Sequence, residues 1–303
     1  MCTTYLAGID PGRSAWKLYD LAQETLRSFF VAKNIPHEAI LFPLESDCHS
    51  LRADTTLSVS ESGIQSPFIM INSGGEFHHR TYFLVKSLET PLSYVHIDAH
   101  GDTLIKPPEI ITYSGFVHSL AQLAMVSEIH FFGLTPRKVY NWFAHEPFDD
   151  ADRHIPRKTP LECPKYQCHL AQSVENWMLH GRMDKSQKAF DHQRKFIQRY
   201  LPDLSLEGLF TPDMISTPQV YISIDLDAIG DFPTNYMREG VMIMERIKQI
   251  VEMIGTGHEI IGADIVGLNA RVQPEVLEAA LNQIFDLYRT IAAQMTAPCS
   301  TRQ

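Results

Sequence analysis

Short apolar runs alternate along the chain with longer stretches whose apolar residues recur at helical spacing. The apolar runs have the length of buried strands and lie at residues 68–71, 95–99, 128–134, 221–227 and 260–264. Stretches of helical spacing follow them at residues 80–88, 116–125, 239–254 and 274–294. This alternation predicts an α/β fold, a three-layer α/β/α arrangement with a mostly parallel central sheet.

The rest of the chain is less regular. Residues 1–65 are the least certain part and contain one clear stretch of helical spacing, at 14–33. Residues 145–170 are polar and contain four prolines, which predicts a long loop excursion at the surface. An exposed helix is predicted at residues 185–200. Because no internal repeat interrupts the pattern, we expect one domain over residues 1–303.

Composition and charge narrow the class of protein. The chain is 44% hydrophobic and 20% charged, which is typical of a globular protein. The net charge of −10 argues against nucleic acid or an anionic membrane as a partner and favours a cationic substrate. Five scattered cysteines argue against a disulfide framework. The N-terminus lacks signal-peptide features, and no apolar stretch is long enough to cross a bilayer, so we expect a cytoplasmic protein.

Side chains that bind metals follow two of the predicted strands. Asp98, His100 and Asp102 come at the end of the first, and Asp225 and Asp227 end the second. Parallel strands bring their carboxyl ends to one edge of a sheet, where open α/β sheets bind ligands. Four neighbouring carboxylates would repel one another without cations. The mixture of oxygen and nitrogen donors predicts a site for Mn²⁺, Fe²⁺ or Zn²⁺ rather than Ca²⁺.

Four separated motifs resemble those of the ureohydrolase superfamily, which includes arginase and agmatinase. Residues 98–102 (D-A-H-G-D) are similar to its D-A-H-x-D motif, and residues 223–227 (S-I-D-L-D) to its S-x-D-x-D motif. Residues 74–78 (G-G-E-F-H) resemble its G-G-D-H motif with one insertion, and residues 264–269 (D-I-V-G-L-N) its D-I-V-E-x-N motif. The likeness extends over residues 65–290. It implies an arginase-like fold and two Mn²⁺ ions per chain.

The same resemblance implies a role for each ligand-type residue. Asp98 and Asp225 would bridge the two ions, and His100 with Asp227 would complete the first ion. Asp102 and a histidine after the glycine run would complete the second ion. Two neighbouring cations of this kind lower the pKa of a water molecule and hold it near a planar carbon, which hydrolysis of a guanidinium requires.

The histidine after the glycine run has more than one candidate. A strict alignment places Phe77 at the ligand position of the family. A one-residue bulge, sterically easy after Gly74 and Gly75, restores His78, while His79 is the other option. We expect His78.

A fifth segment resembles the S-G-x-x-H motif of the family and lies at residues 114–118. The resemblance implies that Ser114 contacts the substrate and that His118 passes a proton to the departing amine. The other histidines are expected to have structural roles.

Two departures affect the groups that hold a free amino acid in arginases. Leu104 stands where the family has an asparagine. Arg137 and Lys138 stand where the family has an acidic residue for the α-amino group. Both changes favour a substrate whose α-groups are blocked, such as arginine within a peptide.

A third departure concerns the guanidinium itself. Gly267 stands where the family has the glutamate that binds this cation, and a buried cation without a carboxylate partner is costly. Another acid would have to replace it, and Glu76, Asp231 and Glu259 are the candidates.

The sequence thus predicts an atypical arginase that converts peptidyl arginine to ornithine and releases urea. Another guanidino compound as substrate, and a homo-oligomeric state, remain open. Two alternatives compete with this prediction. One is a deacetylase-like amide hydrolase, which the loss of the glutamate permits. The other is a catalytically degenerate metal-binding subunit.

Overall fold

The structure is a computed structural model, and its described residues are 2–9, 17–42, 50–57, 63–72, 75–104, 106–134, 163, 165–169, 210–230, 232–234, 240 and 242–296. The strands are β1 Thr3–Ile9, β2 Glu38–Phe42, β3 Ser50–Arg52, β4 Phe68–Ile71, β5 Leu92–Ile97, β6 Ile110–Thr112, β7 Val126–Phe132, β8 Tyr166–Cys168, β9 Gln219–Asp225 and β10 Glu259–Val266. The α-helices are α1 Lys17–Ala32, α2 Thr81–Lys86, α3 Phe116–Ala121, α4 Met244–Gly257 and α5 Pro274–Thr296. Short 3₁₀ helices span Gly75–Arg80, Pro212–Met214 and Leu226–Ala228.

The central sheet is parallel at each strand pair of the described residues, in the order β2-β1-β4-β10-β9-β5-β7-β8. Strand β9 lies in the middle, between β10 and β5. The register places Ile97 of β5 opposite Ile224 of β9, and Val266 of β10 opposite Asp225. The ends of these three strands therefore lie at one level of one edge, as the sequence predicts for the candidate ligands.

Alternate side chains of the strands enter two separate cores. On one face, Ile222 and its neighbours in the sheet pack against α1, α4 and α5. On the other face, Tyr94 and Tyr221 pack against α2 and α3. Both faces of a parallel sheet must be covered because each carries apolar side chains. The predicted three-layer α/β/α architecture is confirmed.

The structure differs from the sequence-based prediction at both ends of the sheet. The least readable part, residues 1–65, supplies β1 and β2, which extend the sheet by two parallel strands. The loop predicted at residues 145–170 contains strand β8, whose described part ends the sheet on β7. A three-residue polar edge strand has too short a pattern to be recognised, and its pairing with β7 defines it. The helix predicted at residues 185–200 and the rest of 145–170 lie outside the described residues.

Within the described ranges, none of the helices combines the length and the apolar character that a transmembrane helix requires. The assignment of residues 1–303 to one domain stays a prediction.

Candidate metal centre

The ends of β5 and β9 bring the two carboxylate runs into direct contact. The amide of Ala99, one residue after Asp98, donates to Asp227 Oδ1 at 3.2 Å. Asp98, Asp225 and Asp227 are all buried. Asp225 also caps the 3₁₀ helix Leu226–Ala228, since its Oδ1 accepts from the amide of Asp227 at 2.9 Å. The two carboxylate runs, which are more than one hundred residues apart in the chain, thus meet at one edge of the sheet.

His78, and not His79, faces these carboxylates. Its Nδ1 lies 3.2 Å from Asp98 Oδ2, 3.5 Å from Asp102 Oδ2 and 3.6 Å from Asp225 Oδ2. Among the described residues, His79 belongs to neither of the two groups that could hold a metal ion. The insertion in the glycine run is absorbed by the 3₁₀ helix Gly75–Arg80 instead of the β-bulge that the sequence suggested.

Hydrogen bonds behind His78 fix which of its nitrogens is free. Ser223 Oγ lies 2.7 Å from His78 Nε2 and donates its hydrogen to Asp264 Oδ2 at 3.1 Å. Since a hydroxyl has one hydrogen, Ser223 must accept from His78 Nε2–H. Thr81 Oγ1 donates to the same Asp264 oxygen at 2.9 Å. His78 therefore carries a hydrogen on Nε2 and turns Nδ1, the nitrogen through which it can bind a metal ion, toward the carboxylates. Although burial opposes it, Asp102 and Asp98 raise the pKa of His78 well above its ordinary value, so metal binding would displace a proton from Nδ1.

His100 forms the second part of the cluster. Its Nδ1 lies 2.8 Å from Asp227 Oδ2 and 3.3 Å from Asp98 Oδ1. The amide of His100 also donates to Asp98 Oδ1 at 2.6 Å, and this hydrogen bond holds the turn that follows β5. His100 is the more accessible histidine, with 30% of its side chain exposed against 1% for His78. This opening is on the side from which a substrate can approach.

Asp102 completes the set in an unusual backbone conformation. Its φ of 45° lies in the left-handed region, which aspartate tolerates better than most residues. Its carboxylate is 12% exposed and points at His78. Backbone strain of this kind clusters at functional sites, where surrounding contacts hold it.

Donor atoms in this cluster fall into two groups that share Asp98. One group is His78, His96 and Asp98, and the other is Asp98, His100 and Asp227, with ligand atoms within 4.8 Å of one another in each. The buried Nδ1 of His78 makes no well-aligned hydrogen bond within the described residues. A divalent ion in each group would satisfy that nitrogen and neutralise the carboxylates. The residues therefore fit a pair of ions that share a bridging carboxylate.

The carboxyl groups of the cluster differ in the direction in which their pKa values are shifted. Burial raises the pKa of Asp225 well above its ordinary value, and the charges of Asp227 and Asp98 act in the same direction. Burial and Asp98 likewise raise the pKa of Asp227 to about 6. Although burial opposes it, contact with His100, His78 and His96 holds the pKa of Asp98 well below its usual range. Against the effect of burial, Asp227 and Asp98 raise the pKa of His100 to about 12.

These shifts predict that metal binding releases protons. Ligation requires an ionised Asp227 and a neutral His100. Although burial opposes it, contact with Asp227 and Asp98 keeps the proton on His100 near neutral pH, while burial keeps Asp227 protonated below a pH of about 6. We therefore expect the affinity for Mn²⁺ to rise as pH rises from about 5 to about 8. Calorimetry in two buffers that differ in ionisation enthalpy measures the protons released. Affinity that is independent of pH would contradict this assignment, and Asp227→Asn should reduce the number of protons released.

Helix α3 carries His118, and Ser114 lies in the turn just before this helix; backbone hydrogen bonds connect both to the ligand loop. The amide of Val117 donates to the carbonyl of Asp102 at 3.1 Å, and the amide of Leu104 donates to the carbonyl of Ser114 at 2.9 Å. His118 is partly exposed, and burial lowers its pKa, which favours the neutral imidazole. Ser114 and His118 thus lie on a segment anchored beside the cluster. Their roles toward a substrate stay predictions.

Gly267, which stands at the position of the family's glutamate, follows β10 directly and lies against Asp225. Its φ is +106°, a region that L side chains rarely adopt. A Cβ at this position would lie 2.5 Å from Asp225 Oδ1. Glu259, one candidate for a replacement acid, is exposed at the opposite end of β10 and accepts from Gln219 Nε2 at 3.1 Å, so this suggestion is wrong. The side chains of Glu76 and Asp231 lie outside the described residues.

Sequence reasoning missed the buried groups that support the cluster. Ser223, Asp264 and Thr81 form the hydrogen bonds behind His78, and His96 lies beneath Asp98. One signal pointed to two of them. Ser223 and His96 each precede a ligand carboxylate by two positions, and alternate residues of a strand share a face.

Solved structures with the same architecture come from the arginase and agmatinase group. A hypothetical agmatinase from Burkholderia thailandensis is 16% identical with a TM-score of 0.52, covering 98% of this chain and 88% of its own. Arginase from Bacillus subtilis is 14% identical with a TM-score of 0.53, covering 98% of this chain and 99% of its own. A formiminoglutamase from Trypanosoma cruzi, described with Mn²⁺, is 10% identical with a TM-score of 0.53, covering 98% and 95%.

No protein-family model and no curated protein matches the chain by sequence. At these identities the likeness establishes the fold. The resemblance to ureohydrolases read from four short motifs is therefore confirmed at the level of the fold, over nearly the whole chain.

Proposed function

We propose that this chain, which has the arginase-like fold, is a metal-dependent hydrolase that acts on a guanidino group with two Mn²⁺ ions. The observation that carries the proposal is the convergence of six ligand-type side chains at one edge of the sheet, around Asp98, which both groups of donor atoms share. They are His78, Asp98, His100, Asp102, Asp225 and Asp227. When bound, the ions supply a water molecule of lowered pKa and a positive field beside the substrate carbon.

The reaction adds water across one C–N bond of the guanidino group. The hydroxyl group of the water goes to the guanidino carbon, which leaves as urea, and a proton goes to the departing amine. His118, whose pKa is lowered by burial, is a neutral imidazole that can take up and release that proton near neutral pH. Ser114, whose backbone is bonded to the ligand loop, is assigned to contact the substrate.

Peptidyl arginine is the substrate class that these surroundings favour, and its conversion yields ornithine. Leu104 is 48% exposed at the end of the ligand loop, where the family has an asparagine for the α-groups of free arginine. Ile110, which is 37% exposed, lies on β6, the short strand that precedes Ser114 and pairs with β3. An apolar rim suits the flanking residues of a peptide better than a charged zwitterion.

A second candidate activity is amide hydrolysis of the deacetylase type. Gly267 favours it, since no carboxylate stands where the family binds the guanidinium. The two activities need the same ions and differ in what surrounds the reacting carbon.

Four substrates distinguish the candidates. The Mn²⁺-loaded full chain is incubated with free arginine, agmatine, a peptide with an internal arginine and the same peptide with acetyl-lysine in its place. We expect urea and an ornithyl product from the arginine peptide, and a lower kcat/KM on free arginine. Urea mainly from free arginine or agmatine contradicts the peptide assignment. Acetate without urea supports the second candidate, and metal binding without any product supports a degenerate binding subunit.

The remaining expectations belong to the same proposal. A cytoplasmic location suits an enzyme with unpaired cysteines, of which Cys2 and Cys163 are free in the described part of the chain. A homo-oligomeric state remains open, and light scattering of the purified chain measures it.

A further inference from the structure

His96 lies directly beneath the cluster, in a place that the family motifs do not assign. It belongs to β5 and precedes Asp98 by two residues, so the two side chains share one face of the strand. Its ring is fully buried. Nε2 lies 3.3 Å from Asp98 Oδ2, and Nδ1 lies 3.3 Å from the hydroxyl of Tyr94.

Two imidazole nitrogens therefore face the same carboxylate oxygen. His78 Nδ1 and His96 Nε2 lie 3.2 Å and 3.3 Å from Asp98 Oδ2, and neither makes a well-aligned hydrogen bond within the described residues. The donor atoms of all three residues lie within 4.8 Å of one another. Because Ser223 holds the Nε2 side of His78, Nδ1 is the ring nitrogen that faces this space.

A cation between the three atoms satisfies all of them. The hydroxyl of Tyr94 can accept from His96 Nδ1–H, which leaves Nε2 unprotonated toward Asp98. A proton or a cation must lie between a ring nitrogen and the carboxylate oxygen that it faces, and one metal ion can serve both nitrogens at once. Metal-binding histidines commonly donate their other N–H to a partner that fixes the ring, and Tyr94 stands in that position.

We infer that His96 Nε2 is a metal ligand, so that the ion beside His78 is held by two imidazoles. The inference rests on the proposed metal centre and adds a ligand to it. Its donors would be His78, His96, Asp98, Asp102 and Asp225. The ion beside His100 has one imidazole, with Asp98, Asp225 and Asp227. Imidazole favours Zn²⁺, Fe²⁺ and related ions relative to Mn²⁺, so the two sites should differ in metal preference.

Nitrogen NMR of the zinc-loaded chain tests the ligand directly. Zn²⁺ is diamagnetic, and long-range ¹H–¹⁵N spectra of histidine-labelled protein separate N–H, free and metal-bound nitrogens. We expect Nε2 of His96 to move to the metal-bound region together with Nδ1 of His78 and Nδ1 of His100. If the nitrogen signals of His78 and His100 shift to the metal-bound region while those of His96 do not, His96 is only a hydrogen-bond partner of Asp98. If no histidine responds, the proposed metal centre itself is wrong.

A variant provides a second measurement that does not depend on activity. His96→Phe removes both nitrogens, and the neighbouring rings of Phe116 and Phe131, at 5.8 Å and 5.6 Å, make an apolar ring acceptable there. We expect the Zn²⁺ affinity of one site to fall by more than about 100-fold, beyond the effect of losing an outer partner. The other site should keep its ion. Unchanged affinity at both sites overturns the inference.

Tyr94→Phe serves as the matched control. It removes only the hydroxyl beside His96 Nδ1 and leaves the ring that packs against Tyr221 at 6.0 Å. We expect a loss of at most about 10- to 100-fold in Zn²⁺ affinity, the range for an outer partner of a ligand. A larger loss for Tyr94→Phe than for His96→Phe would also overturn the assignment. Should His96→Phe fail to fold, the NMR comparison on the unaltered chain decides alone.

Discussion

Asp225→Asn is expected to abolish hydrolysis while leaving the fold intact. Asp225 Oδ2 lies 3.6 Å from His78 Nδ1, and its Oδ1 accepts from the amide of Asp227 at 2.9 Å. Asparagine retains an oxygen that can accept from this amide, so the cap of the short 3₁₀ helix survives. It lacks the negative charge that two neighbouring cations require. We expect metal content to fall by one or two ions and urea release to fall by more than about 100-fold, beyond the effect of outer-partner variants.

Asp54→Asn is the control for this charge removal. Asp54 pairs with Arg52 at 3.0 Å, and both side chains are 72% exposed. The same substitution at this surface pair should leave metal content and activity unchanged, because exposed ion pairs contribute little. Metal content is measured by mass spectrometry after dialysis, and the melting temperature monitors the fold. An Asp225→Asn protein that keeps two ions and most of its activity would contradict the proposed centre.

The fold was predictable where hydrophobic periodicity is strong. The run at residues 68–71 is apolar on both faces, and a strand covered by helices on both sides has this pattern. Strands β2 and β8 escaped prediction because they lie at the edges of the sheet. An edge strand buries less surface, and its pairing depends on neighbours that are distant in the chain.

The meeting of the two carboxylate runs was predictable because parallel pairing brings the ends of distant strands to one edge of the sheet. The register of β5 against β9 places Asp98 beside Asp225 without any further packing information. The choice of His78 was less secure from sequence, since one insertion shifts a helix by about 100° per residue. The structure decides it through the 3₁₀ helix and through Ser223, which holds His78 Nε2.

The supporting residues could not be assigned from a single sequence. Asp264 is a buried acid that belongs to one of the family motifs, but the sequence assigned it no role. The structure shows that its carboxylate accepts hydrogen bonds from Thr81 and Ser223. His96 resembled an ordinary core histidine in an apolar strand. His96 becomes a candidate metal ligand only because its Nε2 and His78 Nδ1 both lie close to Asp98 Oδ2.

Gly267 is expected to be the least replaceable glycine at the site. Alanine there combines two penalties, a left-handed φ of +106° and a Cβ 2.5 Å from Asp225 Oδ1. The backbone strain and the overpacking together should cost about 2 to 4 kcal/mol in free energy of unfolding. The displaced carboxylate should also weaken Mn²⁺ binding. Chemical denaturation and calorimetry measure the two effects separately.

Gly63→Ala isolates the backbone penalty from the clash. Gly63 has a φ of +70°, and none of the described residues comes within 4 Å of a Cβ built there. We expect a loss of about 1 kcal/mol in stability and no change in Mn²⁺ affinity. If Gly267→Ala behaves in the same way, then Gly267 is not packed against the metal ligand as the structure has it.

Gly267→Glu tests what the missing carboxylate means for the substrate. Restoring the family residue should not raise urea release, because its Cβ meets Asp225 Oδ1 before the carboxylate can reach a guanidinium. A glutamate at position 267 and the Asp225 carboxylate are therefore mutually exclusive on this backbone. A guanidino substrate, as proposed, would have to be bound by other groups of the chain. A Gly267→Glu protein with faster hydrolysis of free arginine would contradict this view.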